Sequence, residues 1–214
     1  MTIRESARPP LRPGARSRWH RASASGGFTL LELLLVAWIG GMVAVVAIPG
    51  LTMAMDEYRT RGAARYLSSQ FQRTRAEAVA RSANAAVWFE PTGTSYTFST
   101  YVDGNRNGVS VRDINAGIDR QLAAATSLRE QFSHVDLGMT PGLPSVDGTP
   151  LEGADPIRFG ITRMATFTAH GTATPGSVYI RGRQGTQYVL RVFGDTGKTH
   201  LLKFEPGQGR WIRV

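Results

Sequence analysis

The chain contains no cysteine, which excludes disulfides, thiolate zinc sites and cysteine nucleophiles. It says little about compartment, because many exported proteins carry no disulfide. The four histidines show no metal-ligand spacing, and no segment supplies a nucleophile with its base and orienting group, so no enzyme is expected. Uniform basicity is also lacking, despite a net charge of +9. Residues 1–27 hold six arginines (Arg4, Arg8, Arg12, Arg16, Arg18 and Arg21) against the single Glu5, leaving only four net positive charges for the rest. The overall charge therefore describes the N-terminal segment more than any nucleic-acid surface.

What is present begins at Phe28. From there to Ile48 run 21 residues whose only charge is Glu32. As a helix this run measures roughly 30 Å, one bilayer core. The arginines before it favour a cytoplasmic N-terminus. The run is too long for a secretory signal core. A plain anchor would explain its length but not a carboxylate near its start, since ionisable groups inside a span are costly and usually functional. Gly40-Gly41 interrupts the run beside Trp38 and reads equally well as a hinge or as a close-packing face.

The segment Gly27-Phe28-Thr29-Leu30-Leu31-Glu32-Leu33 resembles the processing site of type IV prepilins and type II secretion pseudopilins. The resemblance implies that residues 1–27 are a leader removed by a prepilin peptidase between Gly27 and Phe28, and that the Phe28 amine is then methylated. It makes Glu32 the fifth mature residue, the family's acid, and sets Pro49 where many members carry a helix-kinking proline. A carboxylate on one subunit could then pair with the freed Phe28 amine of its neighbour, each relieving the other's desolvation. The implied partners are other pilins or pseudopilins in a filament, the peptidase and an inner-membrane assembly platform. The implied location is the bacterial inner membrane, single-pass, with the C-terminal domain periplasmic.

Beyond Met55 the chain turns polar but stays helix-compatible to about Ser82. Ala63, Leu67, Phe71 and Ala78 mark one apolar face, with Arg59, Arg61, Arg65, Arg73, Arg75 and Arg81 elsewhere. This divides the chain into a leader (1–27), a membrane and assembly helix (28–55), a soluble helical half (56–84) and a β-rich domain (85–214). Ala86–Glu90 and Ser95–Val102 read as a hairpin around Pro91–Thr94. Further strands are expected at Phe132–Leu137, Pro156–Phe159, Ala165–Thr168, Ser177–Arg181, Gln187–Phe193, His200–Phe204 and Arg210–Val214. Glycine-rich turns separate several of them, and Gly138–Asp155 reads as a loop. The fold class is α+β, a long helix followed by antiparallel sheet.

Arg158-Phe159, Phe167, Gly171–Gly176, Tyr188–Phe193 and Thr196-Gly197-Lys198 resemble the GspH/FimT family of minor pilin-like proteins. That resemblance implies a pilin-like fold and a minor pseudopilin of type II secretion, or a minor pilin of a related filament.

Two further patterns carry candidate chemistry. Asp103-Gly104-Asn105-Arg106-Asn107-Gly108 matches the start of a calcium loop, with Asp113 or Asp119 and the Val109 carbonyl as candidates to complete the shell. Ile114 replaces the bidentate acid at the twelfth position, and the same residues also suit a polar turn. Calcium is thus the one cofactor suggested, and none is required. Gly197-Lys198-Thr199 lacks the glycine of a phosphate-binding loop at Val192 and reads as a hairpin turn. Arg210 and Arg213 flank Trp211 near the C-terminus. Some minor pilins of the FimT type bind DNA, and this tail could contact phosphate with a base stacked on the indole.

Overall fold

In a computed structural model, residues 27–148 and 155–214 are described. The leader arginines, Gly26 and part of the 138–155 loop lie outside them. The chain divides into two compact units at Val45/Val46.

The elements in order are α1 (Leu30–Arg81), β1 (Ala85–Thr92), β2 (Ser95–Val102), α2 (Val111–Asn115), β3 (Arg120–Ser127), α3 (Leu128–Gln131), β4 (Asp136–Leu137), β5 (Ile157–Arg158), β6 (Met164–Phe167), β7 (Gly176–Arg181), β8 (Gln187–Val192), β9 (Thr199–Glu205) and β10 (Arg210–Arg213). This is the expected long helix followed by antiparallel sheet.

In the first unit, the described residues are Gly27 to Val45. They hold the start of α1 and a run of exposed apolar side chains. Helix α1 passes through Pro49 without interruption. It ends in a Schellman motif: Ala83 donates to the Ala78 carbonyl and Ser82 to that of Val79, both at 3.2 Å. Ser82 takes the left-handed conformation, at φ +49°, that glycine usually fills.

The second unit is built on the later half of α1. Its buried residues Asp56, Thr60, Ala63, Ala64, Leu67, Phe71, Thr74 and Ala78 recur every three or four positions, tracing one stripe. That stripe includes the four expected apolar positions. Two antiparallel sheets share the core with it. One has the order β3-β2-β1-β6 and the other β10-β9-β8-β7-β4, with β5 also paired to β7. Phe71 stands at the junction, its ring edge-on to Phe89, Phe159 and Phe167 at 6.1, 5.9 and 5.9 Å. Alanines at 63, 64, 78 and 85 let backbone approach the stripe closely.

The outer face of the second sheet is covered by the chain itself. Residues 138–148, read as a loop, carry Met139 and Val146 onto Tyr179, Val189, Leu202 and Trp211. Val146 N donates to the Tyr179 hydroxyl and Trp211 Nε1 to the Pro144 carbonyl, both at 3.1 Å.

Two expectations are corrected, and one strand lies outside those expected. The segment Phe132–Leu137 is strand only at Asp136–Leu137. Phe132 instead ends α3, which a Ser127–Glu130 capping box starts, and His134 turns at φ +66°. Pro91 and Thr92 belong to β1, so the hairpin turn narrows to Gly93-Thr94. Strand β3 carries no recognisable strand pattern, because its exposed Ala123-Ala124-Ala125 neither alternates nor contains β-branched residues.

Replacing Phe71 with alanine should destabilise the second unit by about 3–5 kcal/mol. The denaturant midpoint of the variant, followed by circular dichroism in the same detergent as the parent, checks this. A loss under about 1 kcal/mol would mean that the two sheets do not depend on this ring.

Candidate functional site

Gly27 and Phe28 precede α1, and Phe28 is 74% exposed. Thr29 caps the helix: its hydroxyl accepts from Glu32 N at 3.2 Å and its carbonyl from Leu33 N at 3.1 Å. Glu32 therefore sits in the first turn, where a carboxylate complements the helix dipole. The Thr-x-x-Glu spacing could have revealed this cap from sequence. Leu30, Leu31, Leu33, Leu34, Trp38 and Val45 project outward, more than half exposed. An 18-residue window of α1 reaches a mean hydropathy of 2.4 with nothing buried. By length and composition this helix can cross a membrane.

The Asp103–Asp119 loop is knit together by its carboxylates. Asp103 accepts from the backbone N–H groups of Asn105, Arg106 and Gly108 at 3.1, 2.6 and 2.7 Å. Asp119 accepts from Gly104 N and Ser110 N at 3.1 and 2.9 Å. Asp113 Oδ2 accepts from Asn107 Nδ2 at 3.1 Å and from the Ser110 hydroxyl at 3.0 Å, while Ser110 caps α2. The structure thus gathers Asp103, Asn105, Asn107, Asp113 and Asp119, the residues read as a calcium loop, around hydrogen bonds internal to the loop. No hydrogen bond links Val109 to the group among the described residues, nor does any set of three or more His, Asp or Glu there suit a metal ion.

The C-terminal pair is split. Arg210 Nε donates to Gln208 Oε1 at 2.8 Å. Arg213 instead lines a hollow of about 680 Å³ with Gln72, Arg75, Lys198 and His200. Arg75 Nε is fixed by the Gly171 carbonyl at 3.1 Å. Burial first, then Arg213 and Lys198, hold the His200 imidazole below its ordinary pKa. The Trp211 ring is half-buried and packs edge-on against Tyr179 and Phe204 at 5.8 and 5.3 Å. Gly197-Lys198 lies in the β8–β9 turn, as expected for a hairpin.

No family model, no curated protein and no solved structure matches the chain.

Sequence reasoning missed Asp56. This buried acid accepts from Arg183 N and Gln184 N at 2.8 and 3.1 Å, fixing the β7–β8 turn to α1. An acid in the Asp56-Glu57 pair that opens the arginine-rich half of α1 carries no sequence signal for such a contact.

Hydrogen bonds from Asn107 and then Ser110 hold the Asp113 carboxyl below its ordinary pKa. Its contribution to stability should be complete above the unfolded value of about 3.9 and be lost as pH falls through the depressed folded value. Comparing acid denaturation of the parent and Asp113→Asn chains tests this. The parent should lose more stability than the variant between about pH 4 and pH 2, and identical profiles would contradict the assignment.

Proposed function

We propose that this chain is a minor pseudopilin: a low-copy structural subunit, trimmed by a prepilin peptidase, inserted in the inner membrane and assembled into the short filament of a type II secretion system. The observation that carries the reading is helix α1 itself. Its start follows Gly27-Phe28, presents one carboxylate in its first turn and continues as exposed apolar surface. Its later half supplies the central core stripe of a β-rich domain. Exposed apolar side chains along a helix are costly in water and favourable in lipid or against like helices.

The roles follow from the residues. Gly27 and Phe28 form the cleavage junction. The freed Phe28 amine and the Glu32 carboxylate of adjacent subunits neutralise each other, setting helix register in the filament. The second unit presents the surface that distinguishes this subunit from its neighbours.

A minor type IV pilin that contacts DNA is the second reading, favoured by the Arg75, Lys198 and Arg213 cluster. Salt-sensitive binding of single-stranded DNA, lost in an Arg210→Ala, Arg213→Ala chain, would decide for it. Binding no stronger than that of a neutral control domain would remove it.

The first reading is tested by intact-mass analysis of the chain co-expressed with a prepilin peptidase. The expected product lacks residues 1–27 and carries one added methyl group, and Gly27→Ala should stay uncut. A chain left whole in the parent, or cut after the apolar run, would refute the assignment.

A further inference from the structure

Where the apolar run gives way to charge, the second unit brings arginines together. Val46, Ile48, Leu51 and Met53 are all more than half exposed, and Asp56 is the first charged residue after Glu32. The β7–β8 turn is held against this point by the two amide bonds to Asp56 described above. Gly182 permits the contact, since a Cβ there would overlap Thr60 Oγ1 and the Asp56 carboxylate. Arg183 is thereby delivered to a hollow that it lines with Thr52, Met55, Asp56, Arg59, His134 and Gln184. A larger hollow of about 790 Å³ shares His134 and Arg183 and adds Arg129 and Arg181.

The nearby carboxylates are already engaged. Asp56 holds two backbone amides, and Glu57 accepts from Lys203 Nζ at 2.6 Å. Asp136 pairs with Arg129 and also accepts from the Ser95 hydroxyl at 2.7 Å. Arg181 donates to the Met139 carbonyl at 3.2 Å. Among the described residues, neither Arg59 nor Arg183 has a carboxylate partner.

We infer that Arg59 and Arg183 form a headgroup site, binding the phosphate of an anionic phospholipid where α1 leaves the membrane. This rests on the membrane-inserted reading above. Guanidinium groups present paired donors that fit phosphate oxygens. Met55 gives the same hollow an apolar wall suited to the start of an acyl chain. The Arg75–Arg213 hollow is comparably basic but is lined from α1 only by Gln72 and later residues, well past the apolar run. It therefore lacks the position that makes a lipid the occupant.

The test reconstitutes the full chain in vesicles of equal parts phosphatidylglycerol and phosphatidylcholine. Lipid retained after mild detergent extraction is then counted by mass spectrometry. Phosphatidylglycerol should be enriched about fivefold or more over phosphatidylcholine, the scale of one basic contact at a membrane surface. The enrichment should fall to the bulk ratio in Arg59→Gln, Arg183→Gln, persist in Arg75→Gln, Arg213→Gln, and withstand millimolar inorganic phosphate. No enrichment in the parent, the same enrichment in Arg59→Gln, Arg183→Gln, or displacement by inorganic phosphate would overturn the site. Alkaline carbonate extraction separates the two readings. A chain released by carbonate defeats membrane insertion and the site together, whereas an inserted chain without lipid preference defeats the site alone.

Discussion

The burial of one helical stripe is the constraint on which the second unit depends. Neither sheet has a core without α1, and the later half of α1 is otherwise an arginine-rich surface that little but packing would keep helical. Leu67 and Phe71, fully buried, supply the large side chains, while Ala63, Ala64 and Ala78 keep the strands close. The stripe meets Phe89 and Phe167 of one sheet and lies beside Val178, Ile180 and Leu190 of the other. A change in the rotation of α1 would therefore disturb both sheets at once.

Buried acids serve as hydrogen-bond acceptors that form no salt bridge among the described residues. Asp56, Asp103 and Asp119 each accept backbone N–H groups from turns that no regular ladder could satisfy. Asp113 does the same work with side-chain donors. An ionised carboxylate forms stronger hydrogen bonds than a neutral oxygen, which lets it compensate for its own partial desolvation. The Asp56 bonds tie segments far apart in sequence, reaching a turn 127 residues away, whereas the others stay within the 103–119 loop. The glycine and asparagine of the Asp103 loop are thus accounted for as the conformations that let amides converge on one carboxylate.

Much of this was legible in sequence where one chemical pattern dominated. The apolar run and the Ala63–Ala78 face predicted α1 to within a residue or two at each end, because period and composition agreed. The strands from β7 to β10 were legible because Val, Ile, Tyr and Phe cluster between glycine-bearing turns. Strand β3 was hidden because its position comes from pairing with β2 and not from its own alanine-rich residues. The misread at Phe132 has a different cause. Phe132, Val135 and Leu137 do turn inward, but as the end of a helical turn and a tight bend, so burial was correctly signalled and backbone shape was not. At the candidate sites, sequence supplied the residue sets and the structure their geometry. It joined Arg213 to Arg75 and Lys198, left Arg210 bonded to Gln208, and packed Trp211 against Tyr179 and Phe204.

Glu32 is the residue for which a structural and a functional account must be separated. The cap at the start of α1 needs Thr29 and the backbone N–H of residue 32, not the side chain of that residue. Attraction of an exposed carboxylate to the helix N-terminus contributes about 0.3–1 kcal/mol, and a glutamine would keep the cap while giving up only that. Ionisable groups inside a membrane span are costly and usually functional. Helix initiation therefore explains why a threonine stands at position 29 and leaves the charge at position 32 without a local reason. On the pseudopilin reading proposed above, the Phe28 amine that cleavage would free on an adjacent subunit would supply a cationic partner from outside the subunit.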